Sequence, residues 1–373
     1  METLEQNSLL EELKQLSKES IELLKQLIAI SSFSKEEDKT ADVIQTFLET
    51  KNISVNRKMN NVWVYNKFFN DKKPTILLNS HHDTVKPNPA YTLDPFKAEE
   101  TNGKLFGLGS NDAGGALVSL LSAFIYFQEE KNLNYNFLFA ATAEEEISGN
   151  NGIACLIDQL PPIDFAIVGE PTLMQMAVAE KGLMVLDCKV LGKSGHAARE
   201  EGDNAIYKAM RDIDWFRNFE FPKVSPALGK IKMSVTKIKA GDQHNVVPAV
   251  CEFTVDVRTT DSYTNEEVLE IIKQHVSCEI NPRSFRLQPS SISEDHPFIL
   301  EGKNSGISTY GSPTTSDQAL MPWSSLKMGP GDSARSHTAD EFIYIDEIKK
   351  GIEIYITLLK KLNKPSYAGS FGG

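Results

Sequence analysis

The chain has 373 residues, and 39 Lys and Arg against 51 Asp and Glu give it a formal charge of −12. That length is more than one small core organises, so two domains are expected; the acidic balance, without a long basic block, argues against nucleic acid or an anionic membrane as partner. No run approaches the roughly 18 apolar residues of a spanning helix, the N-terminal stretch lacks a signal-peptide pattern, and Cys155, Cys188, Cys251 and Cys278 lack CxxC spacing, so a soluble cytoplasmic protein with reduced cysteines is expected.

Met1 to Leu23 is charged and helix-patterned, and from Ser20 the residues Ile21, Leu23, Leu24, Leu27 and Ile28 recur with helical period until Ser31-Ser32. Ser34-Lys35-Glu36-Glu37 has the form of a capping box opening a second helix toward Leu48. Strands are expected at Val62–Phe68, Thr75–Asn79, Asn136–Thr142 and Asp164–Val168, with a buried helix at Gly115–Phe127 between them. This alternation is of the α/β kind. Beyond Glu180 the style changes. Strands at Leu183–Leu191, Lys232–Lys239 and Cys251–Arg258 are separated by helices at Asn204–Phe216 and Asn265–His275, an α+β unit. After Pro297 the α/β style returns and ends in an amphipathic helix, Ile345–Leu362, followed by a Gly/Ser tail at Ala368–Gly373 expected to be disordered. The expected organisation is one domain inserted in another: 1–178 and 290–373 form the outer domain, and 179–289 the insert.

Ionisable residues gather where the expected strands end, the place where open α/β sheets bind ligands. They are His81-His82-Asp83, Asn111-Asp112 ahead of Gly114-Gly115, Glu144-Glu145-Glu146, Gly169-Glu170-Pro171-Thr172 and Ser336-His337-Thr338. Singly, each has an ordinary reading as loop, cap or solvated surface. Together they form a donor set of imidazoles and carboxylates that suits zinc, with carboxylates able to bridge two ions. A two-metal hydrolytic site needs a shared carboxylate, terminal ligands on each metal and a base that is not a ligand. Glu145 and Glu146 could divide the last two roles, and spacing alone leaves the division open. Strand alternation puts His81 and Asp83 on one face and His82 on the other.

His81-x-Asp83, Gly107-x-Gly109-x-x-Asp112, Glu145-Glu146, Gly169-Glu170-Pro171-Thr172 and Ser336-His337-Thr338 follow one another across nearly the whole chain. In this the sequence resembles the co-catalytic zinc family that includes acetylornithine deacetylase, succinyl-diaminopimelate desuccinylase, aminoacylase and carboxypeptidase G. The resemblance implies an α/β fold, with a mixed sheet flanked by helices and an inserted α+β lid domain that forms a homodimer. It implies two Zn2+ per subunit, replaceable by Co2+ or Mn2+. His81, Asp112 and Glu170 would hold one ion and Asp112, Glu146 and His337 the other, while Asp83 would orient His81 by accepting its free N–H. Glu145 would be the general base. Gly192-Lys193-Ser194-Gly195-His196-Ala197-Ala198 resembles the lid motif whose histidine, here His196, reaches the partner's active site and stabilises the oxyanion. Asn245 and Arg258 match substrate-binding positions, with Arg258 suited to a carboxylate.

The chain departs from the family pattern at Ala113, where a larger residue followed by Lys is usual before Gly-Gly, at Glu144, where Asp is commoner, and at Ser80, where Gly is common. None removes an implied ligand, which disfavours a non-catalytic binding protein of the same fold. The resemblance implies hydrolysis of an N-acyl-L-amino acid, foremost N-acetyl-L-ornithine in arginine biosynthesis. N-succinyl-L-ornithine, N-succinyl-diaminopimelate and dipeptides are the alternatives.

Overall fold

A computed structural model describes residues 2–363, with side chains from residue 9 onward; the Gly/Ser tail expected to be disordered lies outside the described residues. The chain divides into two compact units. One comprises residues up to Val178, Ile292–Tyr310 and Ser316 onward, and the other Ala179–Ser291 with Gly311–Thr315.

In chain order the first part carries α1 (Glu2–Ile28), α2 (Asp38–Thr50), β1 (Asn56–Lys58), β2 (Asn61–Tyr65), β3 (Thr75–His81), β4 (Glu99–Thr101) and β5 (Lys104–Phe106). Then come α3 (Gly115–Phe127), β6 (Asn136–Thr142), α4 (Ile153–Leu156), β7 (Phe165–Val168) and β8 (Met176–Glu180). The middle carries β9 (Gly182–Leu191), β10 (Gly195–His196), α5 (Ala205–Asn218), β11 (Lys232–Ala240), β12 (Val246–Val247), β13 (Val250–Thr259), α6 (Asn265–Lys273), β14 (Glu279–Pro282) and β15 (Ser290–Ser291). The last part adds α7 (Pro297–Asn304), β16 (Thr309–Ser312), β17 (Ser325–Lys327), β18 (Phe342–Tyr344) and α8 (Ile345–Leu362).

The first unit is built on a mixed sheet whose strands run in the order β1-β2-β6-β3-β7-β17-β8, and a smaller sheet orders β18-β5-β4. The central pairs β3–β6, β3–β7 and β17–β7 are parallel. Every residue of β3 and β6 is buried, as expected for strands covered on both faces, and this is why Thr75 to Asn79 and Asn136 to Thr142 read as near-continuous apolar runs. Helix α3 is apolar around its circumference and buries Leu117, Leu120, Leu121 and Phe124, each burial contributing roughly 1.5–3 kcal/mol. The amphipathic α8 buries Ile348, Ile352, Tyr355 and Leu359 on one stripe.

The capping box expected at Ser34 does not form. Helix α2 starts later, at Asp38, and no side chain caps it. Ser34 Oγ instead donates to Asp83 at 2.7 Å, and the buried Glu37 carboxylate accepts from the backbone of Lys35 and from Asn60. A hydroxyl bonded to a buried carboxylate outcompetes an exposed cap, since bonds to charged groups are about twice as strong.

The second unit is a four-stranded antiparallel sheet, ordered β11-β13-β9-β14, with a two-stranded ribbon of β10 and β12. Alternate residues of β9 and β13 (Met184, Leu186, Cys188, Val190; Cys251, Phe253, Val255, Val257) point into one core with Ala209 and Phe216 of α5 and Val268 and Ile272 of α6. The cysteines are free. No described helix is long and apolar enough to cross a membrane.

Candidate active site

Parallel pairing aligns His81 with Thr142 and Asn79 with Val168. The segments that leave β3, β6 and β7 therefore emerge side by side, bringing His81, the acidic triplet and Glu170 to one edge of the sheet. The triplet is bent into a short 3-10 turn, Glu145–Ile147, bracketed by the left-handed residues Glu144 (φ +55°) and Ser148 (φ +47°). Asp112 lies in the irregular turn Ser110–Gly114 that leads into α3, entered through the left-handed Gly109 (φ +76°) and containing a cis Asp112–Ala113 peptide.

Two groups of donor atoms result, His81 with Asp112 and Glu170, and Asp112 with Glu146 and His337, each lying within 4.8 Å of one another. Asp112 is common to both. Its Oδ1 is 3.4 Å from His81 Nε2 and its Oδ2 3.7 Å from His337 Nε2. His337 Nε2 is also 3.0 Å from Glu146 Oε2. Glu145 belongs to neither group, but its Oε2 stands 3.9 Å from His81 Nε2. His81 Nε2 and Glu170 Oε1 are buried without a hydrogen-bond partner among the described residues. Buried polar atoms are rarely left so, and a cation between them would satisfy both, so the residues fit a pair of metal ions.

The electrostatics point the same way. Burial lowers the basicity of His81, but Glu145, Asp112, Asp83 and Glu170 outweigh it and lift its pKa well above the usual imidazole range. Burial pushes Glu170 up to about 8 and Glu145 well above the carboxylate range, with Glu170, Asp317 and Glu146 adding to the rise at Glu145. The hydrogen bond to Glu146 raises His337 to about 9. A cluster whose neighbouring acids hold the protons of His81 and His337, and in which Glu145 and Glu170 resist ionisation, is one that favours added positive charge.

Asp83 holds more than one part in place. Its carboxylate accepts from the backbone amides of Glu145 (3.0 Å) and Glu146 (3.2 Å) and from Ser34. The free Nδ1 of His81 donates to the Asp83 carbonyl at 3.0 Å, with the carboxylate behind it at 3.4 Å. The carboxylate was expected to accept this N–H, and the Asp83 backbone carbonyl is the closer partner. His82 points away. Its ring bridges Thr40 Oγ1 and the Asn60 carbonyl, each at 2.9 Å, and burial lowers its pKa to about 4, so it is neutral.

The profile of the peptidase family M20/M25/M40 matches residues 77–361, most of the chain and all of the residues just described except the Ser34 to Asn60 supports. The chain belongs to peptidase family M20/M25/M40. An acetylornithine deacetylase of Buchnera aphidicola is 27% identical over 372 residues, covering 91% of this chain and 96% of the relative. A succinyl-diaminopimelate desuccinylase of Orientia tsutsugamushi is also 27% identical, over 302 residues, 75% of this chain and 76% of the relative. The solved structure of the Bacillus subtilis YXEP protein, described as a dinuclear metal-binding peptidase of the M20 family, shares the fold. Its TM-score is 0.71 at 16% identity, covering 94% of this chain and 99% of that one. M20 membership makes the chain a hydrolase of a metal-dependent family, and the donor groups at the strand ends are where its metal chemistry would reside.

In the second unit of this M20 chain, His196 on β10 pairs with Val246 of β12, and the Asn245 carbonyl accepts from Ala197 at 2.9 Å, so the two residues share one ribbon. His196 is exposed. Arg258 lies near the end of β13 with its guanidinium forked onto Asp256 at 2.8 and 3.1 Å, so gripping a substrate carboxylate means sharing or displacing Asp256.

Three buried carboxylates around the M20 site were not read as part of it from the sequence: Asp317 and Glu341 were missed, and Glu37 was expected in a helix cap. Glu37 accepts from the Glu144 amide at 3.2 Å. Asp317, pushed up to about 7 by burial, accepts from Thr142 Oγ1 at 2.7 Å, just ahead of the acidic turn. Glu341 accepts from the amides of Gly109, Asn111 and Asp112. The only available signal was position: Glu341 follows Ser336-His337-Thr338 and Asp317 lies in a Thr/Ser-rich loop.

Proposed function

We propose that this M20 protein hydrolyses the amide bond of an N-acyl-L-amino acid, foremost N-acetyl-L-ornithine to ornithine and acetate, the deacetylation step of arginine biosynthesis, in the cytoplasm. The observation that carries the reading is Asp112, which turns one oxygen toward His81 and the other toward His337, with Glu145 beside the pair and outside both donor groups.

In this reading His81, Asp112 and Glu170 hold one Zn2+, and Asp112, Glu146 and His337 the second; the softness and number of these donors also admit Co2+ or Mn2+. Bound metal would polarise the scissile carbonyl and make water acidic enough to be deprotonated near neutral pH. Glu145 takes that proton and returns it to the leaving amine. Asp83 keeps Glu145 and Glu146 in register through their amides. His196, in a homodimer formed through the second unit acting as lid, donates to the oxygen that becomes negative in the transition state, while Asn245 contributes to substrate binding and Arg258 holds the α-carboxylate.

The acyl group has one serious competitor to acetate. The desuccinylase of Orientia tsutsugamushi is as similar, at 27%, as the deacetylase of Buchnera aphidicola. Release of free amine from acetyl-ornithine, succinyl-ornithine, succinyl-diaminopimelate and a dipeptide, assayed side by side with the zinc-loaded protein, decides the substrate. A kcat/KM for acetyl-ornithine below that for a succinyl substrate would overturn the acetyl assignment. No turnover of any of them would overturn the reaction class.

A further inference from the structure

We propose that Glu341 is a positioning residue that fixes the bridging geometry of Asp112 before metal arrives, an inference that rests on the metal-site reading above. The turn Ser110–Gly114 stands at the N-terminal end of α3, where backbone N–H groups have no helical acceptor. At Asp112 the backbone leaves helical geometry altogether, at φ −116° and ψ 98°. Glu341, 2% exposed, supplies the acceptors. Its Oε1 takes the N–H of Asn111 at 2.8 Å and of Asp112 at 2.9 Å, and its Oε2 takes that of Gly109 at 3.1 Å.

Glu341 is itself held. Its carbonyl accepts from Gly107 at 3.0 Å and its amide donates to Tyr91 Oη at 3.3 Å. No described Lys or Arg forms an ion pair with its carboxyl group, whose hydrogen-bond partners are these backbone amides. This resembles what Asp83 does for the acidic turn, where one buried carboxylate also gathers successive amides. The need is sharper at Asp112. A side chain that must offer one oxygen to each donor group tolerates little backbone rotation, because any turn that improves one contact worsens the other.

The test is E341Q, which preserves size but puts an NH2 group against amide donors. Cobalt titration followed by its visible absorption reads the site directly. Outer-sphere partners typically contribute 10–100-fold to metal affinity, and E341Q is expected to bind cobalt at least about 10-fold more weakly than wild type, with an altered absorption band. E341Q with wild-type affinity and spectrum overturns the inference and leaves the metal reading intact, whereas a wild-type protein that takes up no cobalt overturns both. Should E341Q fail to fold, hydrogen exchange on metal-stripped wild-type protein decides. Slow exchange at Gly109, Asn111 and Asp112 before metal is added supports preorganisation. Exchange at free-loop rates, becoming slow only on metal addition, refutes it.

Discussion

Replacing Glu145 by alanine separates the base from the ligands more cleanly than any other change in the site. Glu145 is absent from both donor groups, and its nearest described cationic neighbour is His81 at 3.9 Å, so its removal leaves His81, Asp112, Glu146, Glu170 and His337 in place. Its carboxylate is also one whose charge burial disfavours, so deleting it costs little folding stability. A positioned general base contributes about 10²–10⁴ in rate, or roughly 3–5 kcal/mol of barrier, and kcat should fall by that factor while the protein retains metal, measured by atomic absorption after dialysis. Glu146→Ala should behave oppositely, losing one ion, because Glu146 is one of only three donors in its group. The reasoning is refuted if the Glu145 variant loses metal while the Glu146 variant keeps it, or if the Glu145 variant turns over at the wild-type rate.

The adjacent histidines should part company. His81→Ala removes a donor and should cost activity beyond the roughly 10–100-fold typical of an outer-sphere change. His82→Ala breaks two hydrogen bonds and should cost about 1–3 kcal/mol of stability in urea unfolding, with activity of the folded fraction within a few-fold of wild type; equal activity losses for the two would reject the assignment. The metal-stripped protein should lose stability as pH rises. Asp317 goes from 3.8 to about 7, Glu170 from 4.5 to about 8 and Glu341 from 4.5 to about 8 on folding, so the folded state binds more protons than the unfolded chain between those values. Their contribution is complete below about pH 4 and is lost as pH climbs through 7 to 8. His337, raised from 6.5 to about 9, acts in the same direction. Tm of the stripped protein should therefore fall between pH 5 and 8.5 while that of the zinc-loaded protein changes less; a stripped Tm that rises over this range would contradict the electrostatic account.

The elements most legible in the sequence were those whose burial writes an unbroken pattern, either a continuous apolar run or a single helical stripe. Gly115–Phe127, Asn136–Thr142 and Ile345–Leu362 were read with the bounds observed, because continuous apolar runs and a clean helical stripe are each set by local composition. The clusters at His81, Glu144 to Glu146 and Glu170 were legible for a related reason. Parallel strands deliver whatever follows them to one edge of the sheet, so a polar cluster after each strand is already a statement about proximity.

What local reading could not reach are interactions whose partners lie far along the chain. Ser34 has the spacing of a helix cap, yet its hydroxyl bonds a carboxylate 49 residues away. The amide donors to Glu341 are separated from it by 229 to 232 residues. The division of labour between Glu145 and Glu146 had the same character. Spacing left it open, because both follow the same strand and either could turn inward. The left-handed backbone at Glu144 and Ser148, with the amides of Glu145 and Glu146 held by Asp83, aims Glu146 at His337 and leaves Glu145 beside His81. The direction each of these two carboxylates takes is thus set by a backbone turn held from far along the chain, and a ligand motif that lacks its carboxylate clamp should not be expected to assemble the same centre.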